Sequence, residues 1–122
     1  MVIEYDRRGE GPLLVCHPGG PGFSAKEFGD FAGLDRMRTL LLLHPRGTRE
    51  SGPAESYTLD DYVADLEELR ESLGEEQIDL LGFSHGGMVA AAYAAAHPDR
   101  VRKLVEQVKL LEPVEQDPAA DP

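Results

Sequence analysis

Ser84 sits in the stretch "GFSHG" (82–86), which matches the spacing G-x-S-x-G. A serine between two such glycines suits nucleophilic attack on an acyl group. On a sharp strand-to-helix turn its hydroxyl stands clear of the fold. Side chains two residues before and after would collide with that turn, so Gly82 and Gly86 are the elbow glycines. The pattern alone is weak. Its context strengthens it, because the apolar run "IDLLGF" (78–83) precedes it and a small-residue helix, "SHGGMVAAAYAAAH" (84–97), follows.

Acyl transfer also needs donors for the oxyanion of its tetrahedral intermediate. The backbone N–H of His85, at the start of a helix, is one expected donor. A second should come from the loop after a neighbouring strand. "HPGGPG" (17–22) follows the apolar run "PLLVCH" (12–17) and packs two prolines and three glycines into six residues. Gly20 N–H is the first choice and Gly19 the second, since Pro18 and Pro21 have no N–H to give. His17 and His44 end strands at the same edge and are candidate pocket residues.

The elements that must position these groups alternate in type. Strands are expected at 2–5, 12–17, 39–44 and 78–83, with "DRRGEG" as a polar turn. Ser24 and Glu27 form a capping box for a helix that continues through Phe28, Phe31 and Leu34. Over 58–74, Leu59, Tyr62, Val63, Leu66, Leu69 and Leu73 make one apolar stripe, opened by Thr58 and Asp61 as a capping box and stopped by Gly74. Such alternation predicts a parallel sheet layered between helices, with the loops 17–23, 44–53 and 82–86 gathered at its carboxyl edge.

The chain has 122 residues, enough for one domain. Its net charge of −11, from 23 acidic and 12 basic residues, argues against nucleic acid and anionic membranes. The single cysteine, Cys16, lies in an apolar run and reads as a core thiol. No signal peptide or membrane span is evident, so a soluble cytoplasmic protein is the default expectation. No metal site or cofactor is implied. "HPGGPG" lacks the spacing and the lysine of a nucleotide-binding loop.

"HPGGPG", "HPRGTRES" and "GFSHGG", in this order, resemble the N-terminal half of an α/β-hydrolase fold protein, and most closely the proline iminopeptidase-like branch. "AAHPDRVRKLV" resembles the segment after the nucleophile helix of that family. The resemblance covers about residues 2–105. It implies a three-layer α/β fold, Ser84 as nucleophile, Gly20 and His85 as oxyanion donors, and a small ester, amide or peptide substrate. It also implies that the loop 45–51 shapes the pocket. The family usually has glycine where Arg49 stands, and often an acidic residue or asparagine where His44 stands.

The family order is serine, then acid, then histidine. After Ser84 only His85 and His97 remain. His85 adjoins the nucleophile, and His97 lies about twelve helical residues on, roughly 18 Å away. Some relatives place the acid after the next strand, where Glu106 stands; a solvated charge is the simpler reading. Residues 1–112 are therefore expected to form a partial hydrolase domain, truncated after the nucleophile helix and one possible further strand, with 113–122 as a disordered tail. Between 101 and 111 the apolar spacing leaves strand and helix both open. Such a chain fits a serine hydrolase lacking its base and acid. It also fits an inactive fragment that binds a partner or forms a homodimer through its cut sheet edge.

Overall fold

The computed structural model describes residues 2–18, 31–48 and 51–107, except for the side chains of 31, 32, 106 and 107. Five strands form one sheet: β1 (Glu4–Gly9), β2 (Leu13–His17), β3 (Thr39–His44), β4 (Ile78–Phe83) and β5 (Val101–Gln107). Two helices, α1 (Leu59–Leu73) and α2 (His85–Ala96), join β3 to β4 and β4 to β5. The spatial order is β1-β3-β2-β4-β5. β2, β3, β4 and β5 run parallel, while β1 pairs antiparallel with β3, so the sheet is mixed. β1 is longer than the expected strand at 2–5 and takes in most of the supposed polar turn. It is an edge strand exposed along its whole length, so its polar sequence shows no apolar run.

From β2 the chain moves outward to β3, then crosses back over β2 through α1 to reach β4. That reversal puts the carboxyl ends of β2 and β4 side by side, with His17 opposite Gly82. Crevices of this kind are where open α/β sheets bind ligands.

α1 and α2 pack on the same sheet face. Val15, Leu41, Leu43, Ile78 and Leu80 of the strands meet Tyr62, Val63, Leu66 and Leu69 of α1 and Val89, Ala90 and Tyr93 of α2. On the opposite face Leu14, Cys16, Leu40 and Leu42 form a smaller core with Leu34 and Leu81. Leu34 belongs to a 3-10 turn at Phe31–Arg36; the expected capped helix from Ser24 lies outside the described residues. Thr58 and Asp61 make the expected capping box, and Gly74 ends α1 in the left-handed conformation, φ 73°. Leu59, counted in the apolar stripe, is exposed, while Asp65 and Arg70 are buried. Among the described residues no helix is long and apolar enough to cross a membrane.

Two charge clusters fasten the layers. At the amino edge of the sheet, buried Asp79 of β4 accepts hydrogen bonds from Arg38 Nη2 at 2.7 Å and from Arg102 Nε at 3.0 Å. Arg38 also donates to the carbonyls of Pro12 and Leu13. Burial alone would raise the Asp79 pKa, but the two guanidinium groups outweigh it and the net shift is downward. Between the helices, Glu67 accepts from Arg70 and from the hydroxyl of fully buried Tyr93. The Arg70 hydrogen bonds lead in lowering Glu67 from 4.5 to about 2.

Both carboxyl groups have folded-state pKa values below their unfolded ones. Their contribution to stability is complete above the ordinary carboxylate range, near pH 4–4.5, and is lost on acidification below it, for Glu67 as pH falls through about 2. Melting temperature measured from pH 6 to pH 2 is expected to drop steeply in that window. Asp79→Ala should lower stability at pH 7 by about 2–3 kcal/mol by chemical denaturation and make the acid drop shallower.

Candidate active site

The turn from β4 into α2 is built by close backbone contact. Ser84 has φ 57° and ψ −119°, and it is the one non-glycine residue with positive φ among the described residues. Such a conformation costs about 1–3 kcal/mol and persists only where the surroundings enforce it. Here they do. β4 is paired on both sides, to β2 and β5, and α2 begins immediately at His85.

The flanking glycines are required by space. A Cβ on Gly82 would lie 2.3 Å from the carbonyl oxygen of Gly86. A Cβ on Gly86 would lie 2.3 Å from the carbonyl oxygens of both His17 and Pro18. The amino end of α2 is thus pressed onto the carboxyl end of β2. Ser84 caps α2 through its backbone, its carbonyl accepting from Gly87 and Met88 N–H, while its side chain makes no capping hydrogen bond. The N–H of His85 is among the first of α2, which have no partner within a helix, and the helix dipole favours negative charge there. Phe83 and Met88, 39% and 47% exposed, give the turn an apolar rim.

The imidazole of His85 turns onto α1, its ring centroid 5.0 Å from that of Tyr62 in an edge-on arrangement. His17 meets the same tyrosine at 6.1 Å, again edge-on. Contacts of this geometry contribute about 0.5–1.5 kcal/mol beyond burial. Burial is also the leading reason that His17 is lowered from 6.5 to about 4, and the cause of a downward shift at His85. His17 is therefore a neutral, buried imidazole whose Nδ1 lies 3.4 Å from the Pro18 carbonyl oxygen. Tyr62 is 2% exposed, and its hydroxyl makes no hydrogen bond.

One turn along α1, Asp65 grips the loop after β3. Arg46 donates to it twice, Nε to Oδ2 at 2.7 Å and Nη2 to Oδ1 at 2.8 Å, and its Nη1 donates to the Ser56 carbonyl at 2.7 Å. His44, the last residue of β3, goes elsewhere. By strand alternation it shares the face of Leu40 and Leu42, and its Nε2 lies 3.2 Å from Asp6 Oδ2 of β1. His97 closes α2 at its far end, with its ring 4.9 Å from Tyr93.

The structure thus brings Ser84, His85, Gly82, Gly86 and His17 together at the carboxyl edge. It directs His44 to the opposite face and leaves His97 remote. Gly19, Gly20 and Arg49 lie outside the described residues, as does the 113–122 tail, and Glu106 is described by its backbone alone. Sequence reasoning missed Tyr62, Arg46 and Asp65 as parts of this edge. An acidic residue beside the apolar stripe of α1, with an arginine in a loop before it, was the one available signal.

The α/β-hydrolase fold family profile matches residues 12–120. A proline iminopeptidase from Neisseria gonorrhoeae is 40% identical over 98 residues, covering 77% of this chain and 31% of that protein. One from Heyndrickxia coagulans is 31% identical over 106 residues, covering 84% of this chain and 36% of that protein. The chain therefore spans about a third of the length of the curated relatives it matches. Among solved structures, a marine microorganism esterase superposes with a TM-score of 0.79 at 28% identity, over 86% of this chain and 41% of its own. A hydrolase from Pseudomonas aeruginosa PA01 gives 0.77 at 28% identity, over 93% and 45%. In sheet order, in the glycine-flanked turn and across most of its length, this chain belongs to the α/β-hydrolase fold family.

Proposed function

We propose that the chain carries the nucleophile and oxyanion part of a serine hydrolase acting on ester, amide or peptide bonds, in the manner of its proline iminopeptidase relatives. The observation that carries this reading is the strained backbone of Ser84, held at the start of α2 by two glycines that tolerate no side chain.

Ser84 Oγ attacks the substrate carbonyl carbon, and its proton passes to a base. The carbonyl π electrons move to oxygen, and the resulting oxyanion accepts from His85 N–H, with Gly20 N–H as the proposed second donor. Collapse expels the alcohol or amine, which takes up the proton, and leaves an acyl group on Ser84. Water repeats the sequence and restores the serine.

None of the histidines among the described residues suits the role of base. His17 is buried and held neutral to about pH 4, His85 packs on Tyr62, His44 faces Asp6, and His97 is at the far end of α2. In this reading the proton acceptor comes from outside the described residues. The competing reading, an inactive domain that binds a partner or a second copy, takes its support from the same four placements.

A fluorophosphonate probe read by intact mass separates the two. Labelling that vanishes in Ser84→Ala supports the hydrolase reading; a folded chain that takes no label sinks it for this polypeptide. Gly86→Ala forces a Cβ into the β2 carbonyls. It should lower stability by about 2–3 kcal/mol, a typical cost of overpacking, and slow labelling at least tenfold in whatever fraction stays folded.

A further inference from the structure

One face of α1 reaches both of the elements that meet at the nucleophile turn. Tyr62 touches the ring of His17 at the end of β2 and the ring of His85 at the start of α2. Those two elements are already in backbone contact through Gly86. The carbonyl side of β2 leans on α2 there, which constrains the rotation of α2 about its own axis from one side. A side chain packed against both rings adds a second constraint on it. The rotation matters because it decides where the His85 N–H points relative to Ser84 Oγ.

The residue type fits that task better than simple packing. A leucine would continue the apolar stripe of α1 without burying a hydroxyl. Tyrosine leaves its own hydroxyl buried and unpartnered, and that is unfavourable. What it adds is an aromatic ring that meets both imidazoles at steep interplanar angles, 71° for His17 and 75° for His85. The charged neighbours of this cluster are fixed as well. Arg46, Asp65 and Asp61 face Tyr62, as does the Tyr57 hydroxyl, and Asp65 and His85 face His17. Asp65 is itself held by the Arg46 pair, so the ring stands on a rigid base.

We infer that Tyr62 is a positioning residue of the oxyanion site, holding the His85 end of α2 in rotation against the His17 end of β2. The inference rests on the hydrolase reading for its functional meaning, but the linkage it asserts can be read without any turnover.

The test follows the ring protons of His17 and His85 by NMR in the intact chain and in Tyr62→Phe, Tyr62→Leu and Tyr62→Met. In the wild type both imidazoles titrate below their ordinary value, His17 near pH 4. Tyr62→Phe keeps both titrations, because the ring remains, and leaves the melting temperature unchanged or raised. Tyr62→Leu moves both titrations up together by at least one pH unit, and slows phosphonate labelling of Ser84 at least tenfold. Should Tyr62→Leu fail to fold, Tyr62→Met, which keeps the bulk and removes the ring, takes its place. Unchanged titrations of His17 and His85 in whichever of the two folds overturn the inference. A wild-type chain that shows the linkage but takes no label leaves the inference standing and removes the function proposed above.

Discussion

Everything at the carboxyl edge of the sheet depends on a contact with no side chains in it. The backbone of Gly86 lies against the carbonyl oxygens of His17 and Pro18, and the backbone of Gly82 lies against Gly86, at distances where an added methyl group cannot fit. This lets α2 start within one residue of the end of β4 instead of after a loop. Ser84 alone absorbs the change of direction, in a conformation that a free chain avoids. The strain is sustained because β4 is a central strand, paired on both sides and buried under α2. A softer neighbourhood would relax the turn and lower the serine into the sheet edge.

The ion pairs serve that arrangement differently from the core. Buried pairs such as Arg46–Asp65 give back much of their attraction in lost hydration, so they are poor evidence for stability. Their geometry is specific, however. Two parallel hydrogen bonds at 2.7 and 2.8 Å admit one orientation of the guanidinium on Asp65. A third bond to the Ser56 carbonyl then fixes the chain 10 residues further on. Apolar packing places α1 on the sheet; this pair determines where the loop after β3 lies on α1. The Asp79 cluster does the same at the other end, tying β4 to the chain just before β3 and to β5.

Legibility in the sequence followed burial and locality. β3 and β4 are continuous apolar runs, and their limits at 39–44 and 78–83 are those read from the sequence. The limits of α1 were legible because its cap and its glycine stop are local chemistry. β1 was read too short because an edge strand has no need of an apolar pattern. The 101–107 segment left helix and strand open for a definite reason. The register shifts between β4 and β5, so that Ile78 faces Val101 but Asp79 faces Lys103. Arg102 is the residue skipped at that shift. Val101 and Leu104 therefore fall opposite Ile78 and Leu80. A three-residue spacing that mimics a helix arises within a strand. The placement of Tyr62, Arg46 and Asp65 at this edge was not legible because their partners are distant in sequence, and no pattern along one element encodes them.

The same distinction separates the two halves of the chemistry. Oxyanion stabilisation can be built from consecutive residues, since a strained serine, the next amide and a helix start come from one turn. Proton transfer cannot. It needs a base, most often an imidazole, whose basicity is near working pH and which reaches the serine hydroxyl. The histidine whose strand adjoins the strand leading into Ser84 shows why proximity is insufficient. His17 belongs to β2, next to β4, but burial lowers its pKa to about 4. An imidazole that reluctant to hold a proton makes a poor acceptor for a serine hydroxyl. The burial that makes His17 a firm support for α1 and α2 is what disqualifies it as the base. In this edge of the sheet, rigidity and basicity compete for the same position, and the structure gives it to rigidity.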